Sequence, residues 1–255
     1  MSYDIQRADI WKRASAFLLD FILAVIAAVG FIFLFSLVTG INKHYESYEA
    51  VMDRYEAEWG VDFDEIETNE KYEALPEAER KLIDEAFAAF AKDEEANRLY
   101  NLIIQLIIMN SSLGILLAFV CLEFIVPLIF KNGQTVGKKV FGIAVMRLDG
   151  VKINGQILFI RSILGKYTVE TMIPLMMLVW IIIGQASIMG VVIIALVLFG
   201  NLAMMLATRT NSAIHDQLSQ TVAVDMASQL IFDSPEALLE YKQKIHAEAA
   251  ERASY

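Results

Sequence analysis

Three long apolar runs dominate the pattern of hydrophobic and polar positions along the chain. Residues 14–38 contain a single charged side chain, Asp20, and residues 99–130 contain only Glu123. Residues 171–208 contain none. A helix needs about 20 apolar residues to cross a hydrocarbon core of about 30 Å, so each run is long enough to span a membrane.

The third run is too long for one helix. Gly184-Gln185-Ala186-Ser187 lies near its middle and predicts a tight turn. We therefore expect two helices here, at roughly 171–184 and 188–207, which gives the chain about four transmembrane helices.

The segment between the second and third spans has a pattern of its own. Val140–Arg147 and Val151–Ile153 flank Asp149-Gly150, a pair that favours a β-hairpin turn. Residues 157–166 then alternate apolar side chains with Arg161 and Lys166, which predicts an amphipathic helix on the membrane surface.

Two further segments lie outside the apolar runs. The insertion between the first two spans predicts helices around 45–59 and 78–100. It is either a small helical hairpin with solvated acids or an acidic docking face for a partner or cations. In the tail, Ser234 and Pro235 predict the start of an amphipathic helix.

The fold class is thus an all-α membrane protein with an acidic helical insertion, a small β-hairpin and an amphipathic helix. Its segments are 1–41 (N-terminus and first span), 42–101 (insertion), 102–130 (second span), 131–170 (hairpin and interfacial helix), 171–208 (third and fourth spans) and 209–255 (tail).

Charge changes the picture by giving an orientation. Residues 42–101 carry 18 acidic and 7 basic side chains, which accounts for the net charge of −10. Lysine and arginine are concentrated instead near the N-terminus and in 131–170. Cytoplasmic loops are rich in these two residues, so both segments and the C-terminus should face the cytoplasm and the insertion should face outside.

Three polar side chains on different spans fall at similar depth. Counted from the helix ends, Asp20 lies about 9 Å into the membrane, and Glu123 and Asn201 about 12 Å. We expect a buried polar layer in the inner leaflet that Arg13 and Lys166 reach by snorkelling. It is either an ion or proton site, because carboxylates in a low dielectric have raised pKa values, or an interhelical clamp.

Two motifs invite a catalytic interpretation and do not sustain it. Gly133-Gln134-Thr135-Val136-Gly137-Lys138-Lys139 lacks the glycine spacing and the Ser/Thr of a phosphate-binding loop. A turn with its lysines at anionic lipid headgroups is the better interpretation. His215-Asp216 predicts a hydrogen-bonded structural pair. With one cysteine and three scattered histidines, no zinc site is expected.

These residues together resemble the RDD family of bacterial membrane proteins. The resemblance rests on Arg13, Asp20, the turn Gly133-Gln134-Thr135-Val136-Gly137-Lys138, the Asp149-Gly150 turn and His215-Asp216. It places the family's arginine at Arg13 and its two aspartates at Asp20 and Asp216. The insertion at 42–101 departs from the short first loop expected of the family. The resemblance implies a bacterial inner-membrane location and a transport role, including cation/proton antiport for some members, whereas other members act beside partner proteins.

The leading hypothesis is a small membrane protein that moves a cation or proton, with Asp20 and Glu123 exchanging and Arg13 tuning Asp20. The rival is a non-transporting scaffold or regulatory subunit of a larger complex. We expect no enzymatic activity, cofactor, metal or nucleic-acid partner. The expected partners are the bilayer, anionic headgroups, and either further copies of the chain or another membrane protein.

Overall fold

The computed structural model describes residues 5–63, 69–130, 132–185 and 188–253. Lys131 and the Ala186-Ser187 half of the expected turn lie outside the described residues. Within the described residues the elements are α1 (Ile10–Thr39), α2 (Ile41–Trp59), α3 (Asn69–Ala74), α4 (Glu77–Phe90), α5 (Glu94–Phe130), α6 (Val136–Val140), β1 (Ile143–Arg147), α7 (Gly155–Ile182), α8 (Ile188–Ala207), α9 (Ile214–Leu218), β2 (Thr221–Asp225) and α10 (Pro235–Ala253).

Four of these helices, among the described residues, are long and apolar enough to cross a membrane: α1, α5, α7 and α8. Large apolar side chains point outward along them, with Val38 83% exposed on α1 and Ile188 82% exposed on α8. A soluble protein would bury such surfaces, whereas lipid solvates them. The four predicted spans are confirmed as membrane-type helices.

The third of these helices differs from the prediction. The prediction of a separate surface helix at 157–166 is wrong, because α7 runs without a break from Gly155 to Ile182. The charges of 161–170 suggested that the span begins only at 171. In the structure these charges have partners, described below, so the helix can continue through them.

Two segments of the spans are π-helical. Val120–Ile125 in α5 carries Glu123, and Ile160–Met172 in α7 carries three charged residues, Arg161, Lys166 and Glu170. A π-helix widens the turn and shifts the face on which later side chains lie, and such turns are frequent at functional sites. Nothing in the 3.6-residue periodicity of the sequence signals this change.

The strand pair also differs from the prediction. β1 pairs antiparallel with β2, from Ile143↔Asp225 to Arg147↔Thr221. The expected partner 151–153 forms only isolated bridges, from Lys152 to Met146 and from Val151 to Phe232. β2 follows the fourth span, so the two membrane-type helices α7 and α8 lie between the paired strands in the sequence. It buries Ala144, Met146, Val222 and Val224 in one cluster, whereas a three-residue strand offers too few side chains for a comparable core.

The chain divides into two compact units, Ala28–Ile115 and the remainder. The first contains the insertion, whose helices pack around Phe90: its ring lies 5.6 Å from those of both Tyr48 and Tyr55. The predicted helix 78–100 is wrong, because α4 ends at Phe90 and α5 begins at Glu94. Asp93 separates them, since its carboxylate accepts the Ala96 backbone N–H at 2.8 Å and so caps α5.

The tail helix α10 begins at Pro235, with the Ser234 hydroxyl accepting the Ala237 backbone N–H at 3.3 Å. Leu238 on this helix is buried, and the Tyr241 ring lies 5.1 Å from that of Phe232. The helix therefore packs on the segment that follows β2.

Candidate functional site

The Asp20 carboxylate, buried on α1, is held by the turn that leads into α6. The Thr135 hydroxyl donates to Oδ2 at 2.5 Å, and the Gly137 backbone N–H donates to Oδ1 at 2.7 Å. A Cβ on Gly137 would lie 2.9 Å from the Asp20 carboxyl carbon. Only glycine permits this approach, so the motif works as a receptor for a carboxylate.

The turn is built from local backbone and side-chain bonds. Gly133 has a φ of 61°, which favours glycine. The Gln134 amide donates to the Ile143 carbonyl at 2.8 Å and ties the turn to β1. Thr135 is the N-cap of α6, accepting the Lys138 backbone N–H at 3.3 Å. These bonds present the Thr135 hydroxyl and the Gly137 N–H to Asp20.

Two adjacent lysines of α6 have different surroundings. Lys138 Nζ lies 4.0 Å from Asp20 Oδ2 and donates to Thr135 Oγ1 at 3.3 Å, and its side chain is 14% exposed. Lys139 is exposed and lies over the Phe130 ring at 3.8 Å. The expectation that both lysines face lipid headgroups is wrong for Lys138.

Burial lowers the pKa of Lys138, and the neighbouring cations Arg161 and Lys166 lower it further. Glu123 and Asp20 act in the opposite direction, and the resulting pKa is about 8. With this pKa, Lys138 is a largely buried amine that can lose its proton near neutral pH.

Glu123 is itself paired with Lys166, and its backbone carbonyl accepts the Ser162 hydroxyl at 2.6 Å.

Asp216 on α9 is shared by two arginines. Arg161 donates to its Oδ1 through Nη2 at 2.7 Å and Nε at 3.1 Å, while Arg13 Nη2 lies 3.5 Å from Oδ2. Arg13 also donates to the Asn211 backbone carbonyl at 2.5 Å. Burial alone would raise the pKa of Asp216, but Arg161, His215 and Arg13 outweigh it and hold that pKa well below its ordinary value.

Contacts between α7, α8 and α9 complete the cluster. His215 Nδ1 lies 2.9 Å from both carboxylate oxygens of Glu170, which also accepts the His215 backbone N–H at 2.8 Å. Asn201 on α8 accepts the Ile214 backbone N–H at 3.1 Å. At Gly165 a Cβ would lie 2.7 Å from the His215 Cβ, so glycine lets α7 and α9 approach closely.

These groups surround a partly open cavity of about 320 Å³. Its lining contains eight ionisable or amide side chains, namely Arg13, Asp20, Lys138, Arg161, Lys166, Glu170, Asn201 and His215. The remaining walls are apolar, with Phe17 and Met205 among them. A small charged pocket with apolar walls is the usual form of a binding site for a small solute.

The structure brings together most of the residues that the sequence singled out, in different pairs. Asp20 and Asn201 both line the cavity, but Glu123 pairs with Lys166 behind it. The expected tuning of Asp20 by Arg13 is wrong, because Arg13 contacts Asp216 and Lys138 lies beside Asp20. Helical spacing places residues 13 and 20 on one face, but it cannot show that the arginine has a nearer carboxylate.

Two residues of the cluster were missed by sequence reasoning. Arg161 and Glu170 were assigned to a surface segment, yet they hold Asp216 and His215. The signal available was a pair of opposite charges nine positions apart, just before the apolar run 171–208. For metals, the described residues contain no cluster of three or more histidine, cysteine or acidic side chains that could hold an ion.

The apolar helices and the charged cavity define a polytopic helical membrane protein with a buried ionic site. The chain belongs to the RDD family, whose model matches residues 7–220. That range includes all eight ionisable or amide side chains of the cavity lining. Comparison with the curated proteins and with the solved structures finds no match.

Proposed function

We propose that this protein is a transporter that moves protons across the membrane, with Asp20 and Lys138 as the exchanging pair. The observation that carries the proposal is the 4.0 Å approach of Lys138 Nζ to the Asp20 carboxylate at the wall of a cavity. With a pKa of about 8, Lys138 gains and loses a proton close to physiological pH. Ionisable residues at membrane depth are a hallmark of ion and proton pathways.

The carboxylates of the cavity wall favour the proton over a metal cation. Asp20 already accepts hydrogen bonds from Thr135 and Gly137, and Glu170 accepts one from His215. A sodium or potassium ion would have to displace these donors, whereas a proton adds to the neutral amine of Lys138. Of the two species expected from the sequence, the proton is the better candidate.

The exchange has two states. In the first, protonated Lys138 compensates the Asp20 carboxylate. In the second, Lys138 is a neutral amine and Asp20 keeps only the hydrogen bonds from Thr135 and Gly137. Because Asp20 accepts these bonds in both states, we assign the transferred proton to Lys138 and the compensating charge to Asp20. Glu123 becomes a positioning residue that holds Lys166. The proposal assigns no catalytic reaction to the cavity.

We place the protein in a bacterial inner membrane with both termini in the cytoplasm and the insertion outside. The excess of lysine and arginine near the N-terminus and in 131–170 supports this orientation. The cavity then lies toward the cytoplasmic side, because α6 and α9 belong to segments that flank the spans there.

A second candidate is a non-transporting subunit that docks a partner through the insertion. It is favoured by the separate aromatic core around Phe90 in a segment rich in acidic side chains. A unit that folds on its own core can serve as a docking module. Four spans are few for a transporter, so assembly with further copies or with a partner fits either candidate.

The test is proton flux in proteoliposomes that contain an internal pH dye. A potassium gradient with valinomycin imposes a membrane potential, and sodium or potassium gradients are applied separately. We expect potential-driven proton flux in the wild type and its loss in Lys138→Gln and Asp20→Asn. Lys139→Gln is the matched control, because it removes the same charge one position away and outside the cavity.

Each result decides between the candidates. Proton flux that requires a sodium or potassium gradient would instead support the cation/proton antiport that the sequence predicts. No proton flux from correctly inserted wild type would exclude transport and leave the docking function. Flux that survives in Lys138→Gln would remove the role given to Lys138.

A further inference from the structure

The cavity wall holds more hydrogen-bond donors than its own acceptors use. Each lysine ammonium has three N–H donors, yet Lys138 makes one hydrogen bond, at 3.3 Å, and Lys166 makes one to Glu123. Arg161 Nη1 and the Asn201 side-chain nitrogen have no hydrogen-bond partner among the described residues. Several N–H groups of the cavity-lining side chains therefore have no hydrogen-bond acceptor among the described residues.

The acceptors of the wall are already occupied. Both Asp20 oxygens accept bonds from the α6 turn, and both Glu170 oxygens lie 2.9 Å from His215 Nδ1. Glu123 and Asp216 are not part of the lining, and they pair with Lys166, Arg161 and Arg13. A ligand would therefore meet an excess of hydrogen-bond donors, together with the Lys138 ammonium group, whose nearest carboxylate oxygen is 4.0 Å away.

We propose that the cavity binds a phosphate group, carried either by a small soluble phosphate or by the headgroup of an anionic lipid. Phosphate is matched on two counts: its oxygens accept hydrogen bonds from lysine, arginine and amide donors, and its negative charge suits Lys138, whose nearest carboxylate oxygen lies 4.0 Å away. Water can satisfy unused donors but cannot compensate the charge of this ammonium group, and the cavity of about 320 Å³ has room for the phosphate.

Bound phosphate and the Lys138 proton stabilise each other. Lys138 is faced by Asp20 and Thr135 and interacts with Glu123, Arg161 and Lys166. A phosphate beside it adds negative charge that favours the ammonium form, so by reciprocity the protonated lysine favours phosphate. The inference rests on the proposed function in one respect: it names the solute that the proton would accompany.

The test is calorimetric titration of inorganic phosphate into the purified, delipidated full-length protein in phosphate-free buffer. We expect saturable binding at neutral pH that weakens above about pH 8, where Lys138 loses its proton. Lys138→Gln should weaken binding about tenfold or more, as expected for the loss of one charge-assisted hydrogen bond. Lys139→Gln should bind like the wild type.

A second variant guards against misfolding of the first. Asn201→Asp keeps the oxygen that accepts the Ile214 N–H and exchanges the unused nitrogen donor for an acceptor. It should weaken phosphate binding by tenfold or more while amide hydrogen exchange of β1 and β2 stays as in the wild type. Absence of saturable binding in the wild type, or wild-type affinity in both cavity variants, would overturn the inference.

Nanodiscs separate the two sources of phosphate. In phosphatidylcholine discs, retained binding of inorganic phosphate indicates a soluble ligand. In discs with added phosphatidylglycerol, loss of that binding, with the lipid retained by wild type and not by Lys138→Gln, indicates a headgroup. Binding in neither disc overturns the site. Proton flux without phosphate binding leaves the proposed function standing, and binding without flux leaves the site standing alone.

Discussion

Asp216 compensates two arginines at once, and this makes it the most consequential charge of the cluster. Its side chain is fully buried between Arg161 and Arg13. In Asp216→Asn both guanidinium groups lose their carboxylate, so we expect a loss of about 3–5 kcal/mol in the free energy of unfolding. Denaturation in detergent micelles measures it. The control is Asp225→Asn, whose partner Lys12 is half exposed, with a loss below about 1 kcal/mol.

The stability difference between wild type and Asp216→Asn also depends on pH, and the lowered pKa of Asp216 gives the sign of this dependence. The folded pKa lies below the ordinary value of 3.8, so the contribution of this carboxylate is complete above pH 3.8 and is lost as the pH falls further. The stability difference between wild type and Asp216→Asn should stay constant from neutral pH to about pH 5. A difference that shrinks within that range would contradict the assigned pKa direction.

Gly137 is where the backbone makes the Asp20 contact possible. In Gly137→Ala the new Cβ meets the Asp20 carboxyl at 2.9 Å and the Ala16 carbonyl closer still. We expect a loss of about 1–3 kcal/mol and a lower melting temperature. Gly200→Ala is the matched control, since nothing lies within 4 Å of its Cβ. It should be neutral or slightly stabilising, because alanine favours the helix.

Among the elements, α2 and α4 depend on a few aromatic contacts. Phe90 is 5% exposed and contacts both tyrosine rings of α2. Phe90→Ala should cost about 3–5 kcal/mol locally, because it leaves a cavity between the two helices. Hydrogen exchange of the α2 amides should rise by at least a hundredfold. Leu82→Ala, on the same helix but 39% exposed, should change exchange much less.

The long helix α7 shows how an element's boundary depends on other elements. Isolated, the stretch from Arg161 to Glu170 is too charged to enter a membrane helix. Each charge has a partner elsewhere: Asp216 and Glu123 for the cations, and His215 for the carboxylate. These partners come from α5 and α9, so local hydrophobicity alone places the start of the span too late.

The two compact units of the whole molecule lead to a further expectation for Phe90→Ala. Each unit has its own buried cluster, around Phe90 in one and around Met146 and Val222 in the other. Exchange in β1 and β2 should therefore be unchanged by the substitution. Equal acceleration in both units would show that they unfold together.

Membrane orientation is also a property of the whole chain, and labelling in intact cells tests it. In a Cys121→Ser background, a cysteine at Ser47 should react with an impermeant maleimide added outside. One at Ala247 should react only after lysis if, as we propose, the tail lies in the cytoplasm. Both positions are exposed, so accessibility within the fold does not bias the result. The reverse pattern would invert the topology.

The membrane class, the four spans and the family follow from the sequence alone. Each span must satisfy its own backbone hydrogen bonds, so a run of about 20 apolar residues is sufficient to predict it. The family rests on local motifs such as Gly133–Lys138, which a reader of the sequence can recognise directly. Burial of Asp20 and Glu123 is also predictable, since both interrupt apolar runs.

Only the tertiary structure decided which charges pair and which strands meet. Asp20 meets Thr135 and Arg13 meets Asp216, more than one hundred positions apart in each case. Counting residues gives the depth of a side chain but not the direction in which it points, and the π-helical turns change that direction. The same holds for β1, whose partner lies beyond two spans, because long-range burial outweighs the local hairpin turn.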